Sequence, residues 1–224
     1  MASQKSILIT GTVSAVVSLV LFGWLAAAVL NGQTMYLDNL IRDSIHARAY
    51  PRLTSAMVGI SMLGSPSILI PLAMLLIGRF AWIGRRRAAM VFAVAAGGAE
   101  ALDQVLKEVF RRARPEAFFG YAQPLGYSFP SGHSVESCCF YGVAAALVTL
   151  RMRSRRRKAP IWVASAFLTA AIGFSRIYLG VHYPSDVLAG YLGAVFWVSL
   201  VRVGYEIRSQ KNQRRPAPEV TSDA

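Results

Sequence analysis

The 224-residue sequence carries 24 Lys and Arg against 11 Asp and Glu, a formal net charge of +13, yet 54% of its residues are hydrophobic and 16% are charged. That apolar fraction excludes a disordered chain, and the charged fraction falls well below the roughly 25% of an ordinary soluble domain. Two explanations of the basic charge compete: a nucleic-acid surface, or the Lys and Arg bias of cytoplasmic loops in membrane proteins.

About 20 mainly apolar residues cross the roughly 30 Å hydrocarbon core of a bilayer. Six stretches are candidate spans. Residues 7–30 and 53–77 carry no charge, 88–106 are apolar apart from Glu100, Asp103 and Gln104, and 134–150 apart from Glu136; 159–175 and 187–201 are shorter. Lys5 before the first stretch and Ala26, Ala27 and Ala28 at its end resemble a signal peptide. Its uninterrupted length exceeds the roughly 7 to 15 residues of a signal core, so a retained anchor is expected. Between the first two spans, Leu37, Leu40, Ile41, Ser44 and Ile45 line one side of a helical projection of 35–50, with Asp38, Arg42, Asp43 and Arg48 elsewhere. This pattern predicts an amphipathic helix in the membrane interface, with an ordinary loop as the alternative.

Sixteen of the cations fall at the N-terminus, in the second and fourth loops and in the tail, and eight in the odd-numbered loops. The positive-inside rule then places both termini in the cytoplasm and the odd loops outside. The run from Arg151 to Lys158 could contact nucleic acid or anionic lipid, but its placement in a short turn predicts a topology determinant. No nucleic-acid partner is therefore expected. Cys138 and Cys139 are adjacent in an apolar run, poor geometry for a mutual disulfide, and read as buried filler. Residues 1–210 form the expected membrane domain, and 211–224, with two prolines and mixed charge, a disordered tail.

Three segments carry chemistry. Lys107 and Arg114 are seven apart, so if the third span continued as a helix they would share one face about 10 Å apart along its axis, until Pro115 ended it. With Arg111 and Arg112 nearby they could clamp an anion, or simply snorkel. Pro130-Ser131-Gly132-His133 precedes the fourth span: Ser131 suits an N-cap, and Gly132 lets an anion approach the amides of a helix start. Arg176 lies near the end of the fifth span. His182 and Asp186 are four apart, with Pro184 at a helix start, so the carboxylate can fix one ring nitrogen and leave the other nucleophilic. All three segments fall on one membrane face. Asp103, four before Lys107, could pair with it, or serve a bond within the bundle. Glu100 is another acid inside a span, and Glu136 could tune His133 or contact another span. Phe118, Phe119, Tyr121 and Tyr127 suggest an aromatic belt, lid or rim.

Lys107 with Arg114-Pro115, then Pro130-Ser131-Gly132-His133, then Ser175-Arg176 with His182 and Asp186, resembles the three-part signature of the type 2 phosphatidic acid phosphatase superfamily, matching at all eleven specified positions. The resemblance implies an all-α, six-span membrane enzyme that hydrolyses a lipid phosphate or diphosphate through a phosphohistidine, with no metal and no cofactor. It implies His182 as nucleophile, Asp186 as its orienting partner and His133 as general acid. Lys107, Arg114, Ser131, Gly132 and Arg176 would hold the phosphate. Together with the topology it points to a bacterial inner membrane with the site facing outward. Undecaprenyl diphosphate leads as substrate, followed by phosphatidic acid and phosphatidylglycerol phosphate. A lipid A phosphatase, a lipid-to-lipid phosphotransferase and, more remotely, a non-enzymatic lipid-binding or transport protein are the alternatives.

Overall fold

The computed structural model describes residues 4–213. It has eight helices and, among the described residues, no strand: α1 (Gln4–Leu30), α2 (Met35–His46), α3 (Pro51–Met62), α4 (Pro66–Trp82), α5 (Arg86–Phe110), α6 (Gly132–Thr149), α7 (Arg155–Tyr178) and α8 (Pro184–Gln213). Five stretches are long and apolar enough to cross a bilayer: Gln4–Leu30, Pro51–Trp82, Arg86–Phe110, Arg155–Tyr178 and Pro184–Gln210. The remaining long helix, α6, has 18 residues, and His133 and Glu136 near its start dilute its apolar character. Residues 214–224, most of the expected disordered tail, lie outside the described residues.

Proline sets several boundaries. Pro51, Pro66 and Pro184 begin α3, α4 and α8, where the missing N–H would have had no intrahelical acceptor. Pro66 also explains why the uncharged stretch 53–77 forms two helices. The residue before a proline is driven out of the helical region, and Ser65 is extended at φ −79°, ψ 147°.

α1 lies along α8, while α6 occupies the centre and touches α4, α5, α7 and α8. The buried seam of α1 runs through Gly11, Ala15, Ser18, Phe22 and Leu25, spaced by three and four. Small residues at this spacing let backbones approach closely, as membrane helices require where no water drives association. Ala99, Val135, Cys139 and Ala194 form a buried layer joining α5, α6 and α8. Cys138 and Cys139 are free thiols, Cys139 buried and Cys138 partly so. Outside, Trp24, Leu75, Trp82 and Phe167 are each about two-thirds exposed or more, whereas Asp38, Arg42, Asp103, Arg176 and Asp186 are buried. Apolar groups outward and charges inward suit a lipid solvent, and the chain is a multi-pass, all-α membrane protein.

The α1–α8 seam makes a direct prediction. A Cβ on Gly11 would stand 2.7 Å from Val203 Cγ2, whereas one on Gly23 meets nothing within 4 Å. Gly11→Leu is expected to cost about 1–3 kcal/mol, read as a lower midpoint of thermal unfolding in detergent. Gly23→Leu should match the parent protein.

Candidate active site

Four helix ends meet at one end of the bundle: the C-termini of α5 and α7 and the N-termini of α6 and α8. The Ser131 amide at the start of α6 donates to the Asp186 carbonyl of α8 at 3.0 Å. A Cβ on Gly132 would sit 2.7 Å from Asp103 Oδ2 and 3.0 Å from Lys107 Nζ, so only glycine lets α6 begin against the α5 ion pair. That pair, Lys107 Nζ to Asp103 Oδ2 at 2.5 Å, is the pairing the sequence suggested, and Asp103 is fully buried.

The structure corrects the expectation that Lys107 and Arg114 share one helix face. α5 ends at Phe110, and Arg111 adopts the left-handed conformation at φ 45°, closing on the Lys107 carbonyl. Phe110 is held edge-on to Phe22 of α1 and Phe129, with ring centroids 6.0 and 5.0 Å away. The chain turns off there, and Arg114 reaches the site from a loop. Its guanidinium donates to the carbonyls of Gly126 (2.9 Å) and Val181 (3.2 Å) and contacts His182 Nε2 at 3.0 Å.

Ser131 caps α6 in an extended conformation, and its carbonyl accepts from the Ser134 and Val135 amides. The Gly132 and His133 amides lie between, in the helix turn that has no intrahelical acceptors. His133 follows directly, its ring close to Gly64 in the α3–α4 turn and in the electrostatic field of Arg176, His182, Lys107 and Arg114.

His182 sits in the turn between α7 and α8. Arginine can only donate, so the Arg114 contact makes Nε2 an acceptor and puts the ring proton on Nδ1. Nδ1 faces Asp186 Oδ2 at 3.4 Å, within ion-pair range but without a formed hydrogen bond. Asp186 is fully buried and itself held from three sides: Oδ1 accepts from Arg112 (2.6 Å), and Oδ2 from the Ser128 hydroxyl (2.5 Å) and the Tyr183 amide (2.9 Å). Burial, reinforced by Arg176, Arg114 and Lys107, holds the pKa of His182 well below its ordinary 6.5.

Arg176, 2% exposed, donates from Nη1 to Ser61 of α3 at 2.5 Å, and its buried Nε has no hydrogen-bond partner. Tyr121 lies beside it, its ring centroid 5.9 Å from the guanidinium carbon. The aromatic loop docks on the protein: Phe118 stacks on His46 at 4.0 Å and Phe119 on Tyr178 at 5.4 Å. Glu136 meets Glu100 of α5, which also accepts from Gln104. Among the described residues, no group of three or more His, Cys, Asp or Glu side chains could hold a metal ion. All eight residues singled out in the sequence thus lie around one end of α5–α8. Sequence reasoning missed Ser61, Ser128 and Ser185, which no motif marks, and the use of Arg112 and Asp38.

Residues 88–209 match the sequence profile of the PAP2 superfamily. The chain belongs to that superfamily. It is 33% identical over 169 residues to phosphatidylglycerophosphatase B of Bacillus subtilis, covering 75% of this chain and 82% of the relative. It is 30% identical over 159 residues to an undecaprenyl-diphosphatase of Sulfolobus acidocaldarius, covering 69% and 71%. The crystal structure of a transmembrane PAP2-type phosphatidylglycerolphosphate phosphatase from Bacillus subtilis superposes with a TM-score of 0.75 at 28% identity, over 91% of this chain and 99% of that one. This PAP2 protein is a lipid phosphatase.

A histidine whose pKa is depressed stays neutral as the pH falls through 6.5. Imidazole ¹⁵N spectra of the detergent-solubilised PAP2 protein, assigned by comparison with His182→Ala, are expected to show His182 neutral and protonated on Nδ1 at pH 6. A cationic ring at that pH would contradict the geometry.

Proposed function

We propose that this phosphatase removes the terminal phosphate of a membrane lipid through a phosphohistidine on His182, without a metal ion. The observation that supports this best is the polarisation of His182, with Nδ1 facing the buried carboxylate of Asp186 and Nε2 facing Arg114. In this reading Nε2 attacks phosphorus, the bond to the lipid oxygen breaks, and His133 protonates that leaving oxygen. Water then attacks phosphorus with His133 taking its proton, the P–N bond breaks, and inorganic phosphate leaves. Lys107, Arg114, Arg176, the Ser131 hydroxyl and the Gly132 amide hold the phosphoryl oxygens, supplying the positioning and charge that a loose phosphoryl transition state needs.

The substrate we propose is a lipid mono- or diphosphate presented at the outer face of a bacterial inner membrane. Phosphatidylglycerol phosphate takes first place, because the named relative and the superposed structure cover most of the chain. Undecaprenyl diphosphate is next, supported by the Sulfolobus acidocaldarius relative. The outward orientation rests on the sixteen-to-eight division of cations. It also needs α6 to cross as a sixth span. Support comes from the site itself, where α5 and α7 contribute C-termini and α6 and α8 N-termini, as in four alternating crossings. α2, with Leu37, Leu40 and Ile41 exposed beside buried Asp38 and Arg42, suits the membrane interface.

Three measurements test this reading. His182→Ala is expected to abolish phosphate release from phosphatidylglycerol phosphate, and EDTA to leave the parent rate intact; loss with EDTA and recovery with magnesium would overturn the metal-free route. His133→Ala is expected to cost about 10²- to 10⁴-fold with lipid substrates. With a nitrophenyl phosphate, whose leaving group departs without a proton, the cost should be far smaller. Equal losses would remove His133 from the general-acid role.

A further inference from the structure

Outside the signature residues, Asp38 of α2 is a carboxylate only 2% exposed. Its Oδ1 accepts from the Ser185 amide at 3.0 Å, and its Oδ2 from the Ser185 hydroxyl at 2.6 Å and from Arg112 Nη2 at 2.8 Å. The other terminal nitrogen of the same guanidinium, Nη1, donates to Asp186 Oδ1 at 2.6 Å and to Ser185 Oγ at 2.7 Å. Arg112 therefore bridges two carboxylates with its two prongs, and its flat face is fixed 4.1 Å over the Tyr183 ring. A planar fork locked at both prongs and on one face has no freedom to rotate, and a lysine could not reproduce the arrangement.

We infer that Asp38 and Arg112 are positioning residues for the nucleophile: Asp38 anchors Arg112, Arg112 fixes the Asp186 carboxylate, and Asp186 aims His182. The inference rests on the proposed phosphohistidine on His182. Two physical requirements support it. A buried carboxylate facing a buried imidazole must be neutralised and held in register, and among the described residues the Lys or Arg that contacts Asp186 is Arg112. One guanidinium against one carboxylate would pull Asp186 into a tight pair and weaken its hold on the imidazole. The second carboxylate, Asp38, shares that positive charge and leaves Asp186 with net negative field toward His182 Nδ1. The connection also joins α2, at the start of the chain, to the first turn of α8. Asp38 is separated from Asp186 by 148 residues of sequence and by one side chain in space.

Arg42, one turn further along α2, is the built-in comparison. It is buried too and donates to the carbonyls of Glu116 and Gly180, lying over Phe118 and, at 5.3 Å, over the Tyr183 ring, but its hydrogen bonds go to neither Asp38, Arg112 nor Asp186. Arg42 holds α2 down; Asp38 holds α2 down and reaches the reacting centre.

A double-mutant cycle separates the two roles, using the purified full-length protein with radiolabelled phosphatidylglycerol phosphate in mixed micelles. Asp38→Asn and Asp186→Asn are each expected to lower kcat by about 10- to 100-fold, the scale of a small misplacement of a reacting group. KM should stay within about twofold, because neither residue holds the phosphate. If Asp38 acts through Asp186, the double variant is expected to be about as slow as Asp186→Asn alone. Arg42→Gln, by contrast, is expected to lower the thermal midpoint and to multiply independently with Asp186→Asn. Losses for Asp38→Asn and Asp186→Asn that multiply, or a loss carried by KM, would overturn the inference and leave Asp38 as a structural anchor. Should Asp38→Asn fail to accumulate in the membrane, Ser185→Ala carries the same test, since its hydroxyl links Asp38 to Arg112. Trapping of a base-stable, acid-labile phosphoprotein distinguishes the deeper failure. If the parent enzyme turns over and yields none, the phosphohistidine itself is wrong and the inference falls with it; if it yields one whose formation rate Asp38→Asn does not change, only the coupling is wrong.

Discussion

The Asp186 carboxylate, fully buried in the first turn of α8, sets the terms for everything around it. An ionised carboxylate so placed is unfavourable by several kcal/mol unless donors and counter-charge surround it. Arg112, the Ser128 hydroxyl and the Tyr183 amide meet that requirement, and each comes from a segment that must be folded for its donor to arrive. The loop after α5 therefore turns off at Arg111, and the stretch before α6 runs back to bring Ser128 inward, its amide donating to the Arg112 carbonyl. α2 settles with Asp38 against Arg112. The end of the bundle is organised by electrostatics, while the lower part is organised by close packing of small residues such as Gly11, Ala99 and Ala194.

The same balance explains the unequal distribution of cations. Lys107 is neutralised by Asp103 and Arg112 by two carboxylates, whereas Arg114 and Arg176 contact carbonyls, hydroxyls and His182. Among the motif-region cations, Lys107 and Arg112 thus pair with acids, whereas Arg114 contacts His182 and Arg176 donates to Ser61. Burial, reinforced by the positive field of Arg176, Arg114 and Lys107, keeps His182 neutral. The same field favours an anion at this end of the bundle.

Much of this was legible in the sequence because motif residues cluster at helix ends, where a four-residue spacing or a capping serine has a fixed geometric meaning. The i, i+4 pairs Asp103–Lys107 and His182–Asp186 both emerged as contacts. Lys107 and Arg114 show where periodicity misleads: seven residues mean two turns only if the helix continues, and the left-handed Arg111 is invisible in composition. The break between α3 and α4 was readable from Pro66 but was masked by the unbroken apolar run on either side. Ser61, Ser128 and Ser185 were out of reach, since a serine acquires meaning only when a distant partner is placed beside it. Asp38 reads in the sequence as part of the polar side of an amphipathic helix, and with Arg42 it faces protein while Asp43 and Arg48 stay exposed.

The hydrogen bond from Arg114 to His182 Nε2 carries one more consequence. A lone pair already engaged by a guanidinium is unavailable to an electrophile that cannot bid for the same guanidinium. Neutral esters, or an alkylating compound diffusing in from the bilayer, meet a histidine that is masked. In the proposed mechanism, an oxyanion that draws the arginine onto itself would unmask the nitrogen in the act of binding, so that Arg114 would serve as a safety catch released by the charge of the group to be cleaved.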